Sequence, residues 1–231
     1  MKSKVSWSKT LECGLTAKVL STDSYDGNLS ISQPADQLHQ TQRKLIDAPW
    51  SYLEQVHGGK IFRIKNSGDH QGAEGDGMIS TTSGIPMAIQ VADCAPIALI
   101  CETPVIGIVH AGWRGLLGGI VQNACTEMRK LGGDPTIAVV GPCIYPKHYE
   151  FGSVELQHMM KEFGPTVESK TQEGTPALDI PETAKIALRR NNVLDTRFIG
   201  DCTASSGKYW SHRVGGNAER QAMVAWLEVA S

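Results

Sequence analysis

Apolar residues along this chain fall into two rhythms. From Ile85 to His110 they come in three short β-rich runs, 85–91, 96–101 and 105–110, separated by turn residues, which is the pattern of strands. After His110 the rhythm changes. Ala111-Gly112-Trp113-Arg114-Gly115 leads into Leu116, Leu117, Ile120, Val121, Ala124, Cys125 and Met128, spaced by three and four. That spacing predicts one helix, stopped at Lys130 and Gly132-Gly133. A strand over 137–140 follows, closed by the turn Gly141-Pro142-Cys143. The flanks give shorter signals. Leu38, Leu45 and Ile46 among polar residues predict a surface helix over 36–46, and 61–64 and 78–80 read as strands. Helices are expected near 153–163 and 180–191, the second with Asp179 as N-cap, Pro181 in its first turn and Glu182 three residues on. Phe198-Ile199 and 222–227 close the chain as strands. No repeat, low-complexity segment or linker divides the sequence. The expectation is an α/β (α+β) protein, a single domain over 1–231 with mixed β-sheets flanked by helices.

Composition narrows the class. With 231 residues, 41% hydrophobic and 20% charged, the chain can bury a core without staples. A net charge of −2 leaves no broad basic field for polymeric nucleic acid. No apolar run follows the lysines of the N-terminal stretch from Met1 to Trp7, so no secretory signal is expected. The longest apolar stretches are strand-sized, too short for a membrane span. A soluble, cytoplasmic protein is therefore expected, with its six cysteines as free thiols. Cys101 and Cys125 sit inside apolar segments, whereas Cys94 and Cys143 each follow a polar or turn-forming residue at the edge of a strand-like run.

Those edges suggest chemistry. The turn Glu102-Thr103-Pro104 should fold the second and third runs into an antiparallel hairpin. If Cys101 pairs with Val105, then 94 faces 112 and 96 faces 110; a tighter turn would set 94 opposite 110. In both registers Cys94 and His110 reach the same end of the hairpin. Directly opposed residues lie about 5 Å apart at Cα, within reach of one shared ion. A thiolate and an imidazole suit Zn²⁺, and also Cu²⁺. The best third ligand is His57 in Gln55-Val56-His57-Gly58-Gly59, beside a glycine pair that lets backbone approach closely. Three protein ligands leave a fourth position open, as in catalytic zinc; a fourth Cys or His would instead mark the structural zinc of an interaction module.

Several runs resemble one family. Gln55-Val56-His57-Gly58, Gly75-Asp76-Gly77-Met78-Ile79, Ala92-Asp93-Cys94-Ala95-Pro96 and His110-Ala111-Gly112-Trp113-Arg114-Gly115 are similar to motifs of the YfiH family. That family is also called the multicopper polyphenol oxidase or laccase-domain family and includes peptidoglycan editing factor. Gly141-Pro142-Cys143-Ile144 with Tyr149-Glu150, and Cys202-Thr203 with Ser211-His212-Arg213, resemble its later blocks, in the same order. The resemblance implies a YfiH-like fold and one zinc on His57, Cys94 and His110. It also implies phosphorolysis of adenosine, inosine and 5′-methylthioadenosine, with adenosine deamination as a second activity. Two places depart: His212 stands where the family commonly has tyrosine, and Glu219-Arg220 where it has Gly-Arg.

On that reading the partners are a purine nucleoside and inorganic phosphate. Arg114, at the start of a helix directly after a strand, is the first candidate to hold phosphate, followed by Arg213 and Arg43. Asp93 and Asp76 could each accept a hydrogen bond from a ligand imidazole or position substrate, although Gly-Asp-Gly is also ordinary turn chemistry. Gln55 could contact base or ribose, Cys143 could line the pocket, and Trp113 is pocket wall or core. His39, His70 and His158 read as surface residues. A competing reading makes Cys94 a thiolate nucleophile with His110 as base, in a hydrolase of peptidoglycan precursors. True laccase chemistry needs histidine-rich copper clusters, and seven histidines with no His-x-His do not supply them; phenol oxidation would be a side activity.

Overall fold

A computed structural model describes residues 5–229; 1–4, where the reading of the N-terminus begins, and 230–231 lie outside the described residues. The first half of the chain is mostly strand. It runs β1 (Trp7–Thr10), β2 (Leu15–Ser21), α1 (Ala35–Leu45), β3 (Ser51–Glu54), β4 (Ile61–Ile64), β5 (Ala73–Glu74), β6 (Gly77–Ser80) and β7 (Met87–Val91). The centre comprises β8 (Ala95–Ile100), β9 (Ile106–Ala111), α2 (Trp113–Leu117), α3 (Ile120–Lys130) and β10 (Ile137–Val140). The last third adds α4 (Ser153–Phe163), β11 (Glu168–Lys170), β12 (Pro176–Leu178), α5 (Ile180–Arg190), β13 (Asp195–Phe198), α6 (His212–Gly215) and β14 (Gln221–Val229).

Two six-stranded mixed sheets result, ordered β1-β2-β14-β7-β3-β5 and β13-β10-β8-β9-β6-β4, with β11-β12 as a separate pair. They stack face to face, and period-two alternation assigns each side chain to a layer. Along β8, Ala98 and Ile100 join Met87, Ile89, Met223 and Ala225 of the other sheet in the inter-sheet core. The intervening Ile97 and Leu99 face outward onto Val121, Ala124 and Cys125 of α3 and Ala184 and Leu188 of α5. Covered on both faces, β8 is apolar throughout, which is why it reads as a continuous run. The outer face of the first sheet is closed by α1, with Leu38 and Trp50 packed on Leu20, Ala88, Val224 and Trp226. The order is therefore helix, sheet, sheet, helices. Among the described residues no helix is long and apolar enough to cross a membrane.

The helix expected from 113 to 130 is two helices. Gly119 adopts φ 77, a left-handed conformation that interrupts the ladder and is cheap only for glycine. Strands β1, β2, β3, β5, β11 and β12 give little sequence signal. In β1 exposed residues alternate with half-buried ones, as befits a short edge strand. β2 carries Lys18, ion-paired with Glu228 of β14 across the ladder. β3 is only four residues long. The Asp179 cap forms as the sequence suggests, its carboxylate accepting from the Glu182 N–H at 2.8 Å. Asp179→Ala should therefore cost about 1 kcal/mol and lower Tm by roughly 2–4 °C. Scanning calorimetry checks this, and an unchanged Tm would show that the cap contributes nothing.

Candidate metal centre and cavity

The hairpin settles in the first register, with Ile100 opposite Ile106 and Pro96 opposite His110. Cys94 thus falls just outside the ladder, facing the Gly112 position. By alternation His110 shares the inter-sheet face of Ile106 and Ile108, at the end of that core. The other two ligand candidates lie where the chain crosses between sheets. His57 is on the crossover from β3 to β4, and Cys94 ends the crossover from β7 to β8. His57 (φ 60) and Asp93 (φ 102) have positive φ, a conformation that costs non-glycine residues about 1–3 kcal/mol and persists only where surroundings enforce it.

At His57 the enforcement comes from Asp76, which is fully buried. One carboxylate oxygen accepts from the His57 N–H at 2.9 Å and pairs with His110 Nδ1 at 2.8 Å. The other accepts from the N–H groups of Gly58 at 2.7 Å and Val56 at 3.2 Å. Its flanking glycines are not turn residues. Gly77 belongs to β6, where an added Cβ would strike Ile61 and lie 3.0 Å from Val109, and a Cβ on Gly75 would lie 2.8 Å from the Phe62 ring. They let the strands close around the carboxylate.

With Nδ1 of His110 engaged, Nε2 is left for the site. The ligand atoms of His57, Cys94 and His110 all lie within 4.8 Å of one another. Cys94 Sγ is 3.9 Å from His57 Nε2, and the two imidazoles meet edge to face at 4.7 Å between centroids. A Cβ at position 112 would sit 2.9 Å from Cys94 Sγ and 3.0 Å from His57 Cδ2, so only glycine leaves the ligands this room. Electrostatics agree. Burial would raise the Cys94 thiol, but the charge of His110 and hydrogen bonds from both histidines bring it down to about 6. Burial would likewise depress His110, yet the Cys94 thiolate and the Asp76 carboxylate raise it to about 9. Two imidazoles and a thiolate, oriented by a buried carboxylate, are a donor set that fits zinc. Among the described residues the cluster has three members.

The trio opens onto a cavity of about 450 Å³. Arg114 and Arg213 line it, each lying over an aromatic ring. Arg114 is 4.2 Å from the Trp113 centroid; Arg213 is 4.7 Å from that of Tyr149 and donates to the Glu150 carbonyl at 2.7 Å. Phe151 joins the two rings, with centroids 5.3 and 5.4 Å away, so one aromatic wall carries both guanidiniums. Neither is ion-paired among the described residues. Because α2 is a single short turn, stacking on Trp113 places Arg114 rather than a long helix dipole.

Other expectations are corrected. Arg43 lies on α1, in a surface depression with Asp36 and His39 and away from this cavity, because α1 covers the opposite face of the first sheet. Cys143 is buried as a free thiol, its backbone pairing with that of Cys202 in an isolated parallel β-bridge; it does not line the cavity, and burial pushes its thiol up. Gln55 lines the cavity, but its amide bridges both polar groups of the Gln90 backbone at 2.7 and 2.9 Å, which fixes the β3 end to β7. Asp93 contacts no ligand imidazole, since its oxygens go to Thr203 and the Arg213 N–H. Two further charged residues line the cavity: Glu54 at the end of β3, which had no local signal, and Arg220 just before β14, which the sequence marks only through the Glu219-Arg220 pair.

Comparison with known proteins gives a consistent result. The family model described as multi-copper polyphenol oxidoreductase laccase matches residues 18–228. A purine nucleoside phosphorylase of Streptomyces coelicolor is 31% identical over 183 residues, 77% of this chain and 74% of the relative. One from Deinococcus radiodurans is 34% identical over 179 residues, 76% of this chain and 69% of the relative. Among solved structures, a Neisseria meningitidis protein of the DUF152 family superposes with TM-score 0.79 at 20% identity, covering 96% of this chain and 98% of that one. YlmD from Geobacillus stearothermophilus gives 0.78 at 21% identity, covering 94% and 93%. These two likenesses establish the fold.

Two predictions follow from the geometry. Gly112→Ala should weaken zinc affinity at least tenfold, the loss typical of disturbing a ligand's support, while Tm changes little; zinc binding as tight as wild type would refute the cradle. Zinc needs deprotonated ligands, and His110 keeps its proton until pH passes about 9. Affinity should therefore rise with pH from neutrality towards that value, with roughly one proton released per ion at neutral pH. Calorimetric titration in buffers of different ionisation enthalpy reads the proton count, and no release would contradict the thiolate–imidazolium pair.

Proposed function

The chain belongs to the multi-copper polyphenol oxidoreductase laccase family, and from that membership we propose that it is a zinc-dependent purine nucleoside phosphorylase. It converts adenosine and inosine to free base and ribose 1-phosphate, and 5′-methylthioadenosine to adenine and 5-methylthioribose 1-phosphate, with adenosine deamination as a second activity of the same pocket. Relatives at 31% and 34% identity carry the phosphorylase name. The observation that carries the reading is the convergence of His57, Cys94 and His110 on a cavity of about 450 Å³ that is also lined by Arg114, Arg213 and Arg220; the guanidiniums of the first two have no acidic partner among the described residues. A cavity of that size suits a small organic substrate.

When bound, zinc there supplies a Lewis acid with one coordination position left open by its three ligands. The Asp76 carboxylate accepts a hydrogen bond from the Nδ1–H of His110 and so keeps Nε2 available as a ligand atom. Arg114 and Arg213 bind and orient inorganic phosphate, their planes held by Trp113 and Tyr149. The aromatic wall of Trp113, Phe151 and Tyr149 excludes water from that side of the pocket. The six free thiols suit a reducing compartment and support a cytoplasmic location.

A second reading rests on one specific contact. Cys94, with its thiol lowered to about 6, stands beside a histidine oriented by a carboxylate, as in cysteine hydrolases. The two readings diverge on metal: a nucleophilic Cys94 must be free, and zinc would inhibit. Copper-dependent phenol oxidation is not supported, because the described residues offer one three-ligand cluster and no histidine-rich second site.

Cys94→Ala should lose zinc and inosine phosphorolysis together while Tm stays near wild type. Turnover by that variant would defeat the assignment, and inosine cleavage by wild type without phosphate would argue for hydrolysis. Arg114→Ala should raise KM for phosphate roughly tenfold to a hundredfold, as for a lost hydrogen bond to a charged group, with a much smaller effect on KM for inosine. An equal effect on both constants would remove Arg114 from the phosphate site.

A further inference from the structure

Asp93 lies in the crossover that delivers Cys94 and borders the cavity, yet its carboxylate bonds to neither ligand imidazole. It is 7% exposed. One oxygen accepts from Thr203 Oγ1 at 2.6 Å and the other from the backbone N–H of Arg213 at 2.7 Å. Its main-chain carbonyl accepts from the Ile144 N–H at 2.8 Å. Thr203 and Arg213 are 110 and 120 residues away in sequence. One side chain therefore fastens the Cys94 crossover to two remote segments. Both oxygens of this buried group already accept from donors fixed by the fold, which commits the carboxylate to holding those segments.

What Asp93 fixes is the root of Arg213. Helix α6 is four residues long, too short to hold itself by its own ladder. Beyond the Asp93 bond it has the Ser211 cap, whose hydroxyl accepts from the Val214 N–H at 3.3 Å. The far end of Arg213 is held by the Glu150 carbonyl and the Tyr149 ring. Anchored at both ends, the side chain is held on the aromatic wall of the cavity that Cys94 also lines. Resting on the phosphorylase reading, we infer that Asp93 is a positioning residue for phosphate that acts through Arg213 and not on the reacting atoms.

The test measures inorganic phosphate binding to the zinc-loaded full chain by calorimetry, with KM for phosphate where binding is too weak to titrate. Asp93→Asn tolerates positive φ but cannot accept at both positions. It should weaken phosphate about tenfold, the worth of one hydrogen bond to a charged group, leaving zinc content and KM for inosine unchanged. Thr203→Val should move the same way and Thr203→Ser should not; Tm confirms that each variant is folded. In an Arg213→Ala background, Asp93→Asn should add nothing, because contacts acting through one group are not additive. An equal loss in that background, or unaltered phosphate affinity in Asp93→Asn, would overturn the inference alone. Failure of the wild type to bind phosphate would overturn the phosphorylase reading as well.

Discussion

A single buried carboxylate organises the centre of this molecule. Asp76 reaches three consecutive N–H groups of the 56–58 segment and the His110 ring. Burial alone would favour its neutral form, but those hydrogen bonds and the charge of His110 hold its pKa below the usual carboxylate value. Removing the carboxylate would leave the 56–58 loop without the bonds that enforce a left-handed His57, and His110 without a fixed tautomer. The geometry of two of the three ligand candidates thus depends on one side chain that is not itself a ligand candidate.

The stacked sheets explain why the site lies where it does. Each passage from one sheet to the other must leave the ladders, and at such points side chains are free of strand periodicity and available for chemistry. The crossovers after β3 and β7 emerge at the same end as the last residues of β9. His57 and Cys94 come from the crossovers and His110 from the rigid strand, so the cluster is assembled from segments far apart in sequence. Asp93 and Gln55 fasten those crossovers to neighbouring segments, which limits how far the ligands can drift.

Much of this was legible in the sequence, and the rest was hidden for physical reasons. The central hairpin could be read because β8 and β9 are apolar on both faces and joined by a short turn, and the hairpin in turn places Cys94 near His110. The α5 cap was visible as Asp179-Ile180-Pro181-Glu182. The break at Gly118-Gly119 was not, since Leu116, Leu117, Ile120 and Val121 keep helical spacing across it and only backbone conformation separates the two helices. Arg43 was misplaced because a cationic helix residue carries no sign of which sheet face its helix covers. Cys143 shares a turn-edge setting with Cys94, yet its neighbours are a second thiol and apolar side chains instead of two imidazoles. The partners of Asp93 lie more than a hundred residues downstream, and no local pattern announces them.

The central claim is that a thiolate and two imidazoles hold one zinc and leave a position open. X-ray absorption at the zinc edge of the purified, zinc-loaded protein tests it most directly. One sulfur at about 2.3 Å, with two imidazole nitrogens and one further light atom at about 2.0–2.2 Å, is the predicted shell. A spectrum without sulfur, or one that fits four protein ligands, would contradict it.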